Sequence, residues 1–200
     1  MPLVIGVVAG VTPDRWIRAW RERRSDVPLD VVAVDDPVAA LADGVTMVFA
    51  RLPLEAEDLH VIPLWEETPV VVAARDHPVK AFDAVAEADL AGEEVRPGWD
   101  EQTLDLVAAG HGIALMPQSV FRATGRRDLV ARPVHDAAPT RIGLAWRRDA
   151  GGEDVDDFIG IVRGRTENSS RGRAEPAQPG PAVRPAAPRP RRPTGRRRRG

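Results

Sequence analysis

The sequence lacks cysteine and tyrosine, and Lys80 is its single lysine. Without cysteine the chain cannot hold a disulfide scaffold, a thiolate zinc site or a cysteine nucleophile. Its longest apolar runs are far shorter than the roughly 20 residues that a membrane-spanning helix needs. A secretory signal is also not expected, because no basic segment precedes the short apolar start and the charged Asp14 and Arg15 follow soon after it. These absences favour a cytoplasmic protein.

Charge is distributed unevenly along the 200 residues. Residues 1–170 hold 18 basic and 29 acidic side chains, whereas residues 171–200 hold ten arginines and one glutamate. The acidic body is unsuited to nucleic acid, because phosphate contacts need lysine and arginine. Residues 168–200 have almost no large apolar side chains, which predicts a disordered tail. The tail could contact nucleic acid nonspecifically, bind the acidic body or stay solvated; the arginines that suit the first role are Arg189, Arg191, Arg192, Arg196, Arg197, Arg198 and Arg199.

Hydrophobic periodicity predicts alternating strands and helices in the body. After a β-branched run at residues 3–8, Thr12 and Pro13 fit a helix N-cap and a first helical position. Strands at residues 29–34 and 46–50, with a helix between them, complete a β-α-β-α-β start that implies a parallel sheet. Further strands are predicted at residues 60–65, 69–74, 113–116, 129–134 and 141–146, and further helices at residues 81–91, 100–109, 117–124 and 153–163.

Two residues of this first sheet are candidates for binding a small anion. Thr12 follows the first strand at a helix N-terminus, where free N–H groups and the helix dipole favour anions. Arg51 ends the third strand, would reach the same crevice and is suited to bidentate binding of a carboxylate. The alternatives are that Thr12 only caps its helix and that Arg51 forms a surface ion pair with Glu55 or Glu57.

No catalytic or metal-binding set stands out in the sequence. The histidines lack metal-ligand spacing, Ser119 fits a helix cap better than a nucleophile, and acidic pairs such as Glu66 and Glu67 are typical of solvated loops. The glycines Gly110 and Gly112 follow a predicted helix and precede a strand, which predicts a helix end and turn rather than a nucleotide loop. We therefore expect no enzyme activity and no cofactor.

Several short segments occur in a particular order. The most specific is LVAAGHGIALMP at residues 106–117, and the others lie at residues 3–7, 40–54, 59–67, 75–78 and 88–91. Together, over about residues 3–164, they resemble the effector-binding (substrate-binding) domain of LysR-type transcriptional regulators. The resemblance implies an α/β, periplasmic-binding-protein-like fold, in which two lobes flank a cleft for a small, often anionic effector.

The sequence also departs from this family. Its first predicted strand starts at residue 3, so we expect either a sensor without the family's N-terminal helix-turn-helix or a misplaced start codon. Between Glu94 and Asp100 only five residues replace the family's strand, helix and strand, which predicts a shortened second lobe. The family's aspartate after the equivalent of Gly44 is also missing.

We expect a domain over residues 1–167, with a first lobe of residues 1–72 and 140–167 and a second lobe of residues 73–139. The candidate cleft residues are Thr12, Arg51, Thr68 and Trp99, with Thr68 adding a hydrogen bond at the hinge and Trp99 an apolar wall. The expected function is sensing of a small, anionic effector in transcription regulation, with a second copy or a full-length regulator as partner. The alternative is a degenerate interaction protein whose basic tail contacts nucleic acid or an acidic partner.

Overall fold

A computed structural model describes residues 2–164 of the chain. These residues form nine strands and five α-helices. The strands are β1 (Leu3–Val7), β2 (Leu29–Ala33), β3 (Met47–Leu52), β4 (Leu59–Glu67), β5 (Pro69–Ala74), β6 (Val95–Arg96), β7 (Ile113–Pro117), β8 (Leu129–Pro133) and β9 (Thr140–Arg147). The helices are α1 (Asp14–Arg23), α2 (Pro37–Ala42), α3 (Glu101–Ala108), α4 (Gln118–Thr124) and α5 (Glu153–Val162). Among them is no helix long and apolar enough to cross a membrane.

The strands form two sheets. The first has the order β2-β1-β3-β9-β4, with β1 parallel to both β2 and β3 and with β9 antiparallel to β3 and β4. The parallel β-α-β-α-β start predicted from the sequence is therefore confirmed. The second sheet has the order β6-β7-β5-β8, in which β5 is antiparallel to both of its neighbours. We call the parts built on these sheets the first and second lobes.

The chain crosses between the lobes at Thr68 and again before Thr140. All of β5 pairs within the second sheet, so the boundary that we expected after residue 72 falls inside a strand. Strand β5 belongs to the second lobe because the four residues from Val70 to Ala73 are fully buried there. Alternate residues of this run pack under α-helices on one face of the sheet and under short 3-10 helices on the other. The first crossover is therefore the single residue Thr68.

The core of the first lobe is aromatic. Trp16 and Trp20 are one helical turn apart, so both point from α1 into the sheet. The ring of Trp16 stacks on Phe49 of β3 at 5.2 Å between centroids, and Trp20 packs on Phe158 of α5 at 5.8 Å. The indole N–H of Trp20 donates to the carbonyl of Val27, so this fully buried ring has no unsatisfied polar atom. This packing holds α1 and α5 on one face of the first sheet.

Two local predictions were wrong. Helix α1 begins at Asp14, with Pro13 rather than Thr12 at the capping position and no side-chain cap. The helix predicted over residues 81–91 is absent from the described chain, which instead has 3-10 helices at Pro78–Ala81 and Glu87–Leu90. Between them the backbone is extended, because Val85 pairs with Val134 next to β8 and is buried there. A tertiary pairing thus overrides the local helix preference.

Candidate functional site

A buried carboxylate lies where the chain crosses from one lobe to the other. Glu67 is the last residue of β4, and its side chain is 2% exposed. Arg51, from the end of β3, donates from Nε to Oε2 at 2.8 Å and from Nη2 to Oε1 at 3.0 Å. Thr140, at the start of β9, donates its hydroxyl to Oε2 at 2.8 Å, and Ser119 of α4 donates its hydroxyl to Oε1. Three side chains therefore satisfy both carboxylate oxygens.

These contacts join elements of both lobes. Arg51 and Thr140 belong to strands of the first sheet, whereas Ser119 lies in the first turn of a helix that packs on the second sheet. Arg51 also donates from Nη2 to the carbonyl of Ala9, in the loop between β1 and α1, at 2.8 Å. A buried carboxylate is tolerated only when it is paired and its oxygens are hydrogen-bonded, and both oxygens of Glu67 are. Glu67 thus ties the two lobes together at their crossover.

The sequence did not reveal this role of Glu67. We expected Glu66 and Glu67 to be solvated, but only Glu66 is exposed, and it pairs with Arg141. A β-bulge between Pro63 and Trp65 shifts the register of β4, so counting alternate residues does not show which glutamate points inward. The partner of Arg51 is Glu67 rather than Glu55 or Glu57.

Ser119 also has a different role from the expected one. The helix that contains it, α4, has no side-chain cap, and the hydroxyl of Ser119 is committed to Glu67. Nothing in the local sequence of α4 indicates this bond, since its acceptor is 52 residues away along the chain. The neighbouring prediction of a helix end and turn at Gly110 and Gly112 is confirmed, because both have positive φ between α3 and β7.

The lobes also touch through their main chains beside this carboxylate. Gly10, in the β1–α1 loop, has φ +78°, and a Cβ placed on it would lie 2.7 Å from the backbone N of Val120 and 2.8 Å from the carbonyl carbon of Ser119. No real Cβ makes such contacts, so only glycine lets this loop reach the start of α4. The β1–α1 loop, which carries the predicted anion-binding residue Thr12, is therefore bordered by a tight contact between the lobes.

The structure brings two of the four predicted cleft residues together. The guanidinium carbon of Arg51 lies 5.9 Å from the ring centroid of Trp99, which belongs to the turn before α3 in the second lobe and is 39% exposed. Thr12 and Thr68 are both exposed. Thr68 contributes its carbonyl, which accepts from the N–H of Gln118 at 2.9 Å, and within residues 2–164 no hydrogen bond joins the hydroxyl of either threonine to Arg51. The roles of all four in ligand binding remain predictions.

Asp100 holds the turn that carries Trp99. Its carboxylate accepts from the backbone N–H of Thr103 and from the hydroxyl of the same residue, each at 2.9 Å, and so caps α3. These two bonds favour the ionised form and lower the pKa of Asp100 below its ordinary value.

We therefore expect this cap to contribute fully to the free energy of unfolding above about pH 4, the ordinary pKa range of an aspartate. The contribution should be lost as the pH falls through the lowered pKa of Asp100. Carbon-detected NMR titration of the Asp100 carboxyl checks the pKa, and the amide shift of Thr103 reports the cap. Asp100→Asn keeps a capping oxygen but cannot ionise, so its Thr103 amide should lose this transition. A pKa at or above the ordinary value would contradict the assignment.

The seven tail arginines proposed to contact nucleic acid lie outside the described residues. Within residues 2–164 no group of three or more histidine, aspartate or glutamate side chains is arranged to hold a metal ion. Nothing in this part of the chain therefore points to a metal at the crossover.

Comparison with known proteins gives one family. The family model of the LysR substrate binding domain matches residues 2–95 and 100–167. The unmatched residues 96–99 run from the end of β6 to Trp99, where the sequence predicted a shortened second lobe. No sequence match was found among curated proteins.

Solved structures agree on the fold. The effector-binding domain of BenM with its effector benzoate has a TM-score of 0.66 and 21% identity, covering 83% of this chain and 95% of that one. A regulatory-domain mutant of OxyR from Pseudomonas aeruginosa has a TM-score of 0.62 and 19% identity, covering 82% of this chain and 95% of that one. Full-length CbnR complexed with its target DNA has a TM-score of 0.63 and 17% identity, covering 81% of this chain and 70% of that one. With its two α/β lobes and crossover, this chain belongs to the LysR substrate-binding domain family and has its periplasmic-binding-protein-like fold.

Proposed function

We propose that this chain is the effector-sensing, non-catalytic domain of a cytoplasmic transcription regulator. Its effector is a small anionic molecule that binds between the lobes, beside Arg51. The observation that carries the proposal is the position of Arg51, whose guanidinium lies at the crossover and near Trp99 of the opposite lobe. Closure of such a cleft is a common means by which a ligand shifts a two-state protein.

Arg51 keeps donors that an anion could use. Its Nε and Nη2 bond Glu67 and the carbonyl of Ala9, whereas Nη1 has no hydrogen-bond partner within residues 2–164. An effector carboxylate would accept from Nη1 while Glu67 holds the guanidinium in place. The nearby indole of Trp99 supplies an apolar surface on which the rest of the ligand can pack.

The bonds of Glu67 fix the position of Arg51. They occupy Nε and Nη2 of the guanidinium and the hydroxyls of Ser119 and Thr140, so Nη1 is the donor that we assign to the effector. Two similar proteins are consistent with an anion sensor in transcription regulation: BenM has benzoate as its effector, and CbnR was solved with its target DNA. For this chain we propose a second copy or a full-length regulator as the protein partner.

The experiment is a thermal-shift screen of the full chain against amino acids, small carboxylates and aromatic acids, followed by calorimetry. Binding to the folded state alone should raise stability by about 2.7 kcal/mol at a hundredfold excess over Kd. Arg51→Lys keeps the charge opposite Glu67 but removes the planar set of donors, so it should weaken binding by about tenfold. Arg141→Lys, at the exposed pair with Glu66, is the matched control and should bind normally.

A folded chain that no such anion stabilises would count against the proposal. That result would favour the alternative, an interaction protein whose arginine-rich residues 171–200 contact nucleic acid or an acidic partner. Equal weakening by Arg51→Lys and Arg141→Lys would separately remove Arg51 from the binding site.

A further inference from the structure

A cavity opens on the second lobe at the carboxyl end of β5, away from the crossover. Its volume is about 660 Å³, within the range of small-molecule sites. The six residues of β5 separate it from Thr68 by roughly 20 Å, since each strand residue rises about 3.3 Å. The cavity is lined by Arg75, Asp76, Lys80, Ala108, Arg127 and Asp128.

The lining is rich in cations for such an acidic body. Arg75, Lys80 and Arg127 bring three positive charges to it, one of them the single lysine of the chain. Among the described residues, no carboxylate forms an ion pair with any of the three. Arg75 donates to the carbonyl of Arg127 at 3.4 Å, and its own backbone N–H bonds the carbonyl of Asp128, so the two lining segments are held side by side.

One of the two lining carboxylates is already neutralised. Arg126 donates to both oxygens of Asp128, at 2.9 Å and 2.6 Å, and these bonds lower the pKa of Asp128 below its ordinary value. Arg126 also pairs with Asp105 of α3 at 2.8 Å. Asp76 is then the lining carboxylate left to oppose Arg75, Lys80 and Arg127.

We propose that this cavity binds the phosphate group of a small molecule, at a site separate from the crossover. A phosphate monoester carries up to two charges and has three terminal oxygens, so it matches three cations better than a carboxylate, which has one charge and two oxygens. The volume exceeds that of phosphate alone and leaves room for an organic part beside Ala108. The inference does not depend on the effector site at Arg51.

The test is an NMR titration of the full chain with inorganic phosphate at constant ionic strength, with acetate as a singly charged comparison. Phosphate should produce saturable shifts in the amides of residues 75–77, 79–80 and 127–129, and acetate should produce weaker ones. Lys80→Gln and Arg127→Gln should each weaken phosphate binding by about tenfold, the value of one charge-assisted hydrogen bond. Arg148→Gln, an exposed arginine of the first lobe, is the control and should leave the affinity unchanged.

Three results would overturn the proposal. The first is a linear, unsaturated response to phosphate. The second is an affinity that Lys80→Gln and Arg127→Gln leave unaltered, or that Arg148→Gln lowers equally. The third is a set of phosphate shifts confined to residues around Arg51, which would move the anion site to the crossover and leave this cavity without a ligand.

Discussion

Arg51→Ala is expected to lower the free energy of unfolding by about 3–5 kcal/mol, because it leaves a buried carboxylate without its cation. The side chain of Glu67 is 2% exposed, so its charge depends on the two hydrogen bonds from the guanidinium that the variant loses. Ser119 and Thr140 would still donate, but hydroxyls do not neutralise the charge. Chemical denaturation monitored by tryptophan fluorescence measures the effect, with urea midpoint and slope fitted together.

Two variants isolate this cause. Arg51→Ala combined with Glu67→Gln removes the stranded charge, so it should be more stable than Arg51→Ala alone. The single variant Glu67→Gln completes a double-mutant cycle, which gives the coupling free energy between the two residues. Arg141→Ala breaks the neighbouring pair with Glu66, in which both side chains are about half exposed, and should cost no more than about 1 kcal/mol. Similar decreases in the free energy of unfolding for Arg51→Ala and Arg141→Ala would show that Glu67 is not a buried carboxylate that depends on Arg51.

Gly10→Ala is expected to destabilise the chain by about 2–4 kcal/mol. The left-handed backbone contributes about 1–2 kcal/mol of this for any residue with a Cβ. The rest arises because the new methyl group would overlap the backbone of Ser119 and Val120 and push the two lobes apart. The same displacement should weaken the bond from Ser119 to Glu67, which an NMR shift of the Val120 amide would report.

Gly44→Ala is the matched control for this prediction. Gly44 also has a positive φ, +93°, but no described atom lies within 4 Å of the position that its new Cβ would occupy, so only the backbone cost applies. The difference between the free energies of unfolding of the two variants therefore measures the cost of disturbing the contact between the lobes. Equal destabilisation by Gly10→Ala and Gly44→Ala would contradict the close contact between the β1–α1 loop and α4.

The sequence predicted the architecture better than it predicted the local exceptions. Strand β5 was predicted with its observed bounds, and the parallel start follows from strands that alternate with helices. The helix expected at residues 81–91 failed because Val85 forms a bridge with Val134, 49 residues away in sequence. A contact of that range leaves no mark on local periodicity.

One part of the candidate site could be predicted from the sequence and another could not. Arg51 could be found because it ends a parallel strand, and the structure places it near Trp99, as the proposed cleft requires. Glu67 could not be found, because the bulge in β4 and the bonds from Ser119 and Thr140 arise only from the tertiary fold. Thr12 was placed as a helix cap, but the helix starts one residue later than the Thr-Pro pattern suggests.

The most direct measurement is a two-dimensional NMR titration of the full chain with the tightest-binding anion from the screen, following the Nε–H signal of Arg51 and the indole signal of Trp99. If the effector binds between the lobes, both signals should shift and saturate with one Kd, and Arg51→Lys should weaken that Kd by about tenfold. A saturable shift elsewhere, with both of these signals unchanged, would contradict an effector site at the crossover.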